Sequence, residues 1–160
     1  MHTPGTMSAP SLPATPPASD AATRRAMQGN RSTGTTPEIA LRRALHRRGL
    51  RFRKDYKIAS GGRGVRADVV FPRQRVAVFV DGCYWHGCPQ HFRMPTRNAD
   101  YWAAKIARNQ ARDRRVSDEL GAAGWRVLRV WEHEPPDDAA ALVAASLHQA
   151  VSRAASPSVH

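Results

Sequence analysis

A cysteine- and histidine-rich segment carries side chains that could hold a transition metal. The segment DGCYWHGCPQHFRMP contains Cys83, Cys88 and His91, and His133 follows a later apolar run. Zinc takes four soft or borderline ligands at tetrahedral angles, and this spacing lets three ligands wrap one ion while a distant strand end supplies the fourth. The four residues are the predicted set of a closed, structural zinc site; the alternative is a free buried thiol beside surface histidines. His86 is left over and suits a catalytic imidazole.

Two aspartates stand at the ends of apolar runs. Asp68 begins the run DVVF, and Asp81 ends the run VAVFVD. Carboxylates at the ends of two neighbouring strands gather a divalent cation, because Mg²⁺ prefers hard oxygen ligands held on rigid elements. The pair therefore predicts a Mg²⁺ site, although either aspartate taken singly also fits an ordinary turn.

Two further carboxylates fall on the apolar faces of predicted helices. Glu38 precedes Leu41 and Leu45, which form an inward stripe, and Asp113 shares a face with Trp102. An inward carboxylate is unfavourable without a partner, which makes both acids functional candidates. The alternatives are an acid that complements the helix dipole in solvent for Glu38, and a simple ion pair with a nearby arginine for Asp113.

Aromatic side chains flank the metal-type segment. Tyr84 and Trp85 lie inside it, and Trp102 follows it. Large rings beside a basic surface stack on bases or wedge between them. The alternative is that the rings cover the zinc set and the core, most directly for Trp102 on its apolar stripe.

The charge of the chain points to an anionic partner. Its 160 residues carry 25 Lys+Arg against 13 Asp+Glu, a formal net charge of +12. This excess favours nucleic acid, with an anionic membrane surface as the weaker alternative. No apolar run approaches the roughly 18 residues of a membrane span, and the N-terminus lacks the apolar core of a secretion signal. Two cysteines are too few for a disulfide framework and fit a reducing cytosol.

The elements that must position these residues alternate between helix and strand. Thr36 is the predicted cap of the first helix and Gly49 its stop, while Asn98 is the predicted cap of the second helix. The pattern predicts helices at 37–48, 98–123 and 137–154, strands at 51–57, 66–71, 76–81 and 125–131, a glycine loop at 60–64 and a hairpin turn at 72–75. This order predicts an α/β fold with a mixed central β-sheet flanked by helices.

Four segments resemble the very short patch repair endonuclease family in order and spacing. They are RADVV, VFVDGCYWHGCP, YWAAKIARNQARDRR and GWRVLRVWEHE, and the similarity spans about residues 23–133. The resemblance implies a restriction-endonuclease-like fold of the PD-(D/E)xK type with a structural zinc loop. It also implies Mg²⁺-dependent nicking of duplex DNA at a T:G mismatch left by deamination of 5-methylcytosine.

The resemblance assigns roles to the acidic residues and the histidine by position. Asp68 matches the family's metal-binding aspartate, and Val80 stands where a backbone carbonyl is the second protein ligand. His86 matches the catalytic histidine and Asp113 the aspartate that supports it. Glu38 matches the acid that holds metal-bound water.

The zinc positions and one strand end depart from the best-known members. The four predicted zinc ligands fall at or within one residue of the family's zinc positions, with a different mix of Cys and His. Asp81 replaces a histidine. Either Asp113 or Asp81 is a candidate for orienting the ring of His86, and Asp81 is alternatively a candidate for a further Mg²⁺ ligand.

The resemblance also implies how DNA is held. Tyr84, Trp85 and Trp102 match wedge aromatics, and Met27 resembles a methionine that inserts from the opposite groove. Candidate phosphate contacts are the arginines of the N-terminal arm, of the glycine loop and of the segment after the zinc set: Arg24, Arg25, Arg31, Arg63, Arg66, Arg93 and Arg97.

The domain boundaries follow from composition. The stretch MHTPGTMSAPSLPATPPASD holds almost no large apolar side chain, so it cannot bury enough surface to offset the entropy of ordering. We predict a disordered tail at 1–22, a single nuclease domain at 23–154 and a disordered C-terminus at 155–160. The domain opens with a DNA-binding arm at 23–35.

The expected partner is double-stranded DNA with a T:G mismatch. Family analogy implies a monomer without membrane association in the cytoplasm, close to the nucleoid, alongside a cognate cytosine methyltransferase system. Two competing functions are a zinc-stabilised mismatch- or DNA-binding protein without catalysis, and a restriction-type nuclease that breaks both strands. The joint presence of Asp68, Glu38, His86 and Asp113 argues against binding alone.

Overall fold

The computed structural model describes residues 34–155, which form a four-stranded sheet and three helices. The helices are α1 (Thr36–Arg47), α2 (Ala99–Ala122) and α3 (Pro136–Ala155), and the strands are β1 (Arg53–Ile58), β2 (Val65–Phe71), β3 (Val76–Asp81) and β4 (Arg126–Trp131). The predicted order of helices and strands is confirmed. The predicted tail at 1–22, residues 23–33 of the predicted arm and residues 156–160 lie outside the described residues.

The sheet is mixed, as the sequence predicts. Its order is β1-β2-β3-β4; β1 and β2 pair antiparallel, β2 and β3 pair antiparallel, and β3 and β4 pair parallel. Val80 lies beside Val130 and Asp81 beside Trp131. Because β3 and β4 run in the same direction, the chain segments that follow them leave the same edge of the sheet.

Apolar layers cover both faces of the sheet. On one face Leu45 of α1 and Val143 of α3 pack with Val78, and all three are fully buried. On the other face Leu120 of α2 packs with Val70. Strands covered on both faces are mostly apolar, which explains the run 69–71 that ends β2 and the run 76–80 in β3. Burying one such side chain stabilises the fold by roughly 1.5–3 kcal/mol.

The helix caps differ from the prediction. The N-cap position of α1 falls on Thr35, not Thr36, and the Thr35 hydroxyl donates to Glu38 Oε1 (3.0 Å) without bonding the helix backbone. Asn98 occupies the N-cap position of α2 but makes no side-chain cap hydrogen bond, because its backbone is left-handed (φ 55°) rather than extended. Gly49 does end α1, with φ 74°, a conformation that glycine adopts without steric strain.

Several element ends shift by one or two residues, and strand pairing explains the shifts of the strands. β1 begins at Arg53 rather than residue 51, because Arg53 is the first residue paired with β2. β2 begins at Val65, which pairs with Ile58, and β4 begins at Arg126, which pairs with Val76. Among residues 34–155, the structure contains no helix with the length and apolar character needed to cross a membrane.

Candidate active site and metal centres

A cleft of about 360 Å³ gathers most of the predicted catalytic residues. Its walls include Asp68, Val80, Asp81, His86 and Asp113. The Val80 N–H donates to Asp68 Oδ2 (2.7 Å), which ties the aspartate of β2 to the end of β3. The structure therefore brings both strand-end carboxylates and the leftover imidazole to one cavity.

Three carboxylates meet beside this cleft, and we call Glu38, Asp55 and Asp68 the oxygen cluster. Each offers a carboxylate oxygen, and these oxygens lie within 4.8 Å of one another. Arg42 balances part of their charge, with Nη2 at 3.5 Å from both Glu38 Oε2 and Asp55 Oδ1. Arg42 Nη2 also donates to the backbone carbonyl of Asp68 (2.9 Å). A set of hard oxygen ligands on regular elements fits Mg²⁺.

Glu38 lies inside, as its helical spacing predicts. It is 7 % exposed, which rules out the alternative of an acid in solvent. Its carboxylate accepts hydrogen bonds from the Gly34 N–H (2.8 Å) and from the Thr35 hydroxyl (3.0 Å). These donors fix the carboxylate beside Asp68.

Burial shapes the acidity of Asp68. Removal from water raises the pKa of Asp68 to about 6; the negative charges of Glu38 and Asp55 also raise it, while the Val80 N–H and Arg42 lower it. A bound cation would stabilise the ionised Asp68 carboxylate, because it would replace the interactions with water that burial removes. The three carboxylates offer the hard oxygen ligands that a divalent cation requires.

The Val80 carbonyl faces the same side as Asp68. The carbonyl of Asp81 accepts from the Glu132 N–H (2.9 Å), so it points toward the β4 side of β3. Successive carbonyls of a strand point to opposite sides, so the carbonyl of Val80 points toward β2, like its own N–H. This direction is the one that a backbone metal ligand beside Asp68 requires.

A second group of side chains surrounds the imidazole, and we call Asp81, His86 and Asp113 the histidine cluster. His86 Nδ1 lies 2.5 Å from Asp113 Oδ2 and 3.9 Å from Asp81 Oδ1. All three side chains are at most 19 % exposed. Asp113 on α2 is thus directed inward, and its main partner is His86 rather than an arginine.

The segment that carries His86 is clamped onto α2. Gln110 Nε2 donates to the His86 carbonyl (3.2 Å), and Asn109 Nδ2 donates to the Trp85 carbonyl (2.9 Å). At Gly87 (φ +65°), an added Cβ would lie 2.7 Å from Gln110 Nε2, so only glycine permits this close approach. These hydrogen bonds fix the backbone of His86 against α2 and so help to position its imidazole ring.

Asp81 takes an ion-pair role that the sequence analysis did not foresee. Arg129 Nη1 donates to both oxygens of Asp81, at 2.8 and 3.2 Å. Burial raises the pKa of Asp81, whereas His86 and Arg129 lower it. The carboxylate of Asp81 belongs to the histidine cluster and not to the oxygen cluster, so the geometry favours the orienting role over that of a further Mg²⁺ ligand.

Sequence reasoning missed Arg129 and Asp55. Arg129 interrupts the apolar strand RVLRVW, and this violation of the pattern is the signal that could have marked it. Asp55 stands inside β1 with a left-handed backbone (φ 48°), and an aspartate in a strand is itself unusual.

The four predicted zinc ligands come together, and we call Cys83, Cys88, His91 and His133 the sulfur–nitrogen cluster. Their candidate ligand atoms all lie within 4.8 Å of one another. Three of the sulfur–nitrogen distances are 3.7, 3.7 and 3.9 Å, and the fourth, from Cys83 Sγ to His133 Nδ1, is 3.0 Å, a direct contact shorter than zinc ligation would give. Tetrahedral zinc with ordinary bond lengths gives about 3.6 Å for this distance. The donor set and three of its four sulfur–nitrogen distances therefore fit zinc.

The ionisation of the two buried thiols bears on whether they can ligate a metal. Burial, followed by the neighbouring Cys88, raises the pKa of Cys83 to about 11. Both cysteines are free and buried. Without a metal the raised pKa keeps Cys83 protonated, so ligation of zinc would have to release the Cys83 proton.

The aromatic residues form one packed group beside the sulfur–nitrogen cluster. The ring centroids of Tyr84 and Trp85 are 5.2 Å apart, and those of Tyr84 and Trp102 are 5.5 Å apart. Trp102 is only 5 % exposed, whereas Tyr84 and Trp85 are half-buried. Lys105 Nζ lies 5.0 Å from the Trp85 ring and 5.4 Å from the Trp102 ring. The group joins a positive charge to aromatic faces.

The predicted phosphate contacts are placed in part. Arg63, Arg66, Arg93 and Arg97 are exposed, and Arg66 lines the cleft. Met27 and the other arginines predicted for the arm lie outside the described residues: Arg24, Arg25 and Arg31.

Comparison with solved structures defines the class of fold. The catalytic domain of the homing endonuclease I-Bth0305I matches with a TM-score of 0.50 at 18 % sequence identity, over 74 % of this chain and 99 % of that domain. The likeness is one of fold: a mixed sheet with flanking helices of the restriction-endonuclease-like class, as the sequence analysis expected.

Comparison of sequences identifies the family. The family described as DNA mismatch endonuclease Vsr matches residues 18–91. The type II nicking enzyme V.NaeI of Lentzea aerocolonigenes is 55 % identical over 125 residues, which is 78 % of this chain and 75 % of the relative. The DNA mismatch endonuclease Vsr of Escherichia coli is 36 % identical over 115 residues, or 71 % of each chain. The chain belongs to the Vsr family and is a DNA endonuclease, as the resemblance of its motifs predicts.

Proposed function

We propose that the protein nicks one strand of duplex DNA beside a T:G mismatch in a Mg²⁺-dependent reaction, as in very short patch repair of deaminated 5-methylcytosine. The observation that carries the proposal is that Asp68 of the oxygen cluster lines the same cleft as all three members of the histidine cluster. The names of the relatives, a mismatch endonuclease and nicking enzymes, support the substrate and the outcome.

Asp68 and the Val80 carbonyl are the proposed protein ligands of Mg²⁺, and Glu38 is placed to hold water beside them. The chemistry that Mg²⁺ supplies at such a site is polarisation of the scissile phosphate and neutralisation of charge in the transition state. Glu38, fixed by the Gly34 N–H and the Thr35 hydroxyl, keeps its accepting oxygens aimed at the site.

His86 is the proposed general base. With its Nδ1–H donated to Asp113, the ring has Nε2 free to accept a proton from the attacking water. The water oxygen then bonds to phosphorus, and the bond from phosphorus to the 3′ oxygen breaks. The leaving 3′ oxygen takes a proton from solvent water, so the products are 3′-hydroxyl and 5′-phosphate ends, and Asp113 stabilises the charged imidazole.

The aromatic group and the arginines form the proposed DNA surface. Tyr84 and Trp85, backed by Trp102, are proposed to wedge between base pairs at the mismatch. Unstacking is easier at a mismatched pair, which is one physical source of selectivity. The exposed arginines Arg63, Arg66, Arg93 and Arg97 supply phosphate contacts, and the arm at 23–35 with Met27, Arg24, Arg25 and Arg31 is proposed to approach from the opposite groove.

Zinc in the sulfur–nitrogen cluster is proposed to be structural. Four protein ligands fill a tetrahedral ion and leave no position for a reacting water. The ion would link the segment after β3 to His133 after β4, next to the aromatic group. We also propose residues 23–154 as the nuclease domain, a monomer working in the reducing cytoplasm near the nucleoid, which the two free thiols fit. A cognate cytosine methyltransferase would create the methylated sites whose deamination yields T:G pairs.

The test is a set of labelled duplexes that differ only in the central base pair, incubated with Mg²⁺ or with EDTA. We expect nicking of the T:G duplex alone, only with Mg²⁺, and conversion of a mismatched supercoiled plasmid to the open-circular form. Linear plasmid would favour a restriction-type nuclease. A mobility shift without any nicked product would favour a binding protein without catalysis.

A further inference from the structure

Arg129 contacts both acids of the histidine cluster. Its Nη1 donates to both oxygens of Asp81, and its Nη2 donates to the backbone carbonyl of Asp113 (3.3 Å) and lies 3.6 Å from Asp113 Oδ1. One guanidinium therefore contacts both acids that flank His86. The Arg129 side chain is 23 % exposed, so these contacts are partly shielded from water.

The negative charges of Asp81 and Asp113 explain why a guanidinium is needed beside them. Asp81 and Asp113 both lie within 3.9 Å of the same imidazole nitrogen, and their side chains are 10 % and 16 % exposed. Two carboxylates this close repel each other, and the repulsion is strong where water is excluded. A fixed guanidinium between them removes the repulsion, and its planar donors also fix their orientation.

Arg129 is itself held in place from two sides. Its guanidinium lies 4.6 Å from the centroid of the Phe79 ring, which is its direct neighbour across the parallel β3–β4 pair. Its Nε donates to the Ser117 hydroxyl of α2 (3.3 Å). The side chain thus connects β3, β4 and α2, three of the elements that line the cleft, and these contacts set its geometry.

We propose that Arg129 is a positioning residue of the endonuclease, which holds the Asp81 and Asp113 carboxylates so that Asp113 keeps His86 aligned for proton transfer. Asp81 contributes to this positioning, because its carboxylate at the end of β3 holds the Arg129 guanidinium in place. This inference rests on the proposed role of His86. In this role Arg129 acts through Asp81 and Asp113, the two acids that it contacts.

The first test separates kcat from KM on the T:G duplex with saturating Mg²⁺, using the full-length, zinc-loaded chain. We expect Arg129→Met to lower kcat by about 10- to 100-fold, the range seen when groups that orient catalytic ligands are removed, with KM within about twofold of wild type. The matched control is Arg126→Met on the same strand, whose side chain contacts Ser146 and Gln149 of α3. Equal losses in the two variants would overturn the proposal.

A second variant tests the charge argument. In Arg129→Met the Asp81 carboxylate is left buried without its cation, so adding Asp81→Asn should recover part of the lost kcat. The effects of the two substitutions are then less than additive, as expected for residues in one network. Fully additive losses would contradict the coupling. If Arg129→Met does not fold, Arg129→Lys replaces it; we expect a smaller loss of kcat, because one ammonium cannot bond both acids.

A spectroscopic readout avoids catalysis altogether. The proton shared between His86 Nδ1 and Asp113 should give a downfield proton resonance coupled to ¹⁵N in the wild-type protein at pH 7.5 without Mg²⁺. We expect this resonance to broaden or vanish in Arg129→Met and to persist in Arg126→Met; its persistence in both would overturn the proposal. If wild type does not nick the T:G duplex, the proposed function fails, and the resonance alone decides whether Arg129 positions His86.

Discussion

The oxygen cluster and the sulfur–nitrogen cluster both gather metal-type ligands, but different parts of the fold hold them. Glu38, Asp55 and Asp68 stand on α1, β1 and β2, and Arg42 offsets part of their charge. The sulfur–nitrogen cluster depends on the irregular segment between β3 and α2 and on a residue beyond β4. The difference indicates that regular elements hold the oxygen cluster, whereas the position of the sulfur–nitrogen cluster depends on irregular chain segments.

The strongest way to break the oxygen cluster is Asp68→Asn. The amide keeps an acceptor for the Val80 N–H but loses the charge that a cation needs. We expect nicking of the T:G duplex to fall by about 10³-fold, equivalent to about 4 kcal/mol in the barrier. The measurement is single-turnover nicking with saturating Mg²⁺, with Asp118→Asn on the exposed face of α2 as the matched control. Full activity of Asp68→Asn would refute the metal assignment.

The same variant should fold well, and this separates chemistry from stability. The folded pKa of Asp68, about 6, lies above its ordinary value of 3.8, so the ionised carboxylate destabilises the metal-free fold as pH rises from about 4 through 6. Asp68→Asn removes this cost. At pH 7.5 without Mg²⁺ we expect the free energy of unfolding of Asp68→Asn to exceed that of wild type by about 1–3 kcal/mol. Thermal unfolding of the two proteins, with a higher melting temperature for the variant, measures the difference.

Disrupting the sulfur–nitrogen cluster should lower the stability of the fold, whereas Asp68→Asn should raise it. Cys88→Ser removes a buried ligand, and we expect loss of bound zinc together with about 3–4 kcal/mol of stability, because the ion contributes folding energy. Metal analysis and thermal unfolding, each repeated on wild type with a chelator, measure the two effects. Wild-type protein that contains no zinc and is unaffected by chelation would remove the contrast between the clusters.

A pH titration sharpens the comparison without any substitution. Mg²⁺ requires the ionised form of Asp68, so protons compete below its pKa of about 6. Between pH 7.5 and 5 we expect Mg²⁺ affinity to fall by about tenfold, with close to one proton released on binding at the lower pH. Calorimetric titration with Mg²⁺ in buffers of different ionisation enthalpy measures both. An affinity independent of pH over this range would show that Asp68 is not the titrating ligand.

The smallest expected effect is at Asp55. This carboxylate belongs to the oxygen cluster but also pairs with Arg42 at 3.5 Å, so part of its charge is already neutralised. We expect Asp55→Asn to weaken Mg²⁺ binding by about threefold, a modest electrostatic effect in a partly solvated site. A loss as large as that of Asp68→Asn would make Asp55 a direct ligand and enlarge the proposed coordination set.

Sequence reasoning went furthest where one segment carries both pattern and chemistry. The β2–β3 hairpin can be predicted because the second half of β2 and most of β3, covered on both faces, are apolar runs. The zinc set is readable because three of its four ligands share one short segment. The inward direction of Glu38 follows from helical spacing alone, and its burial agrees with it.

The residues that were missed depend on pairing between distant segments. Arg129 stands out in its strand, but only the β3–β4 register places it beside Phe79 and within reach of Asp81. Asp55 enters the oxygen cluster through a left-handed residue in β1, whose position relative to Asp68 is set by the pairing of β1 with β2. Neither register can be read from local periodicity.

The amino-acid sequence by itself determined the order of the helices and strands, the types of ligand available and the family, because periodicity, side-chain chemistry and motif spacing are properties of neighbouring residues. Only the tertiary structure decided which acid meets which base. Asp81 and Arg129 are 48 residues apart in the chain. Their contact exists because strand pairing and helix packing, which depend on the whole core, bring the ends of β3 and β4 and one face of α2 around a single imidazole.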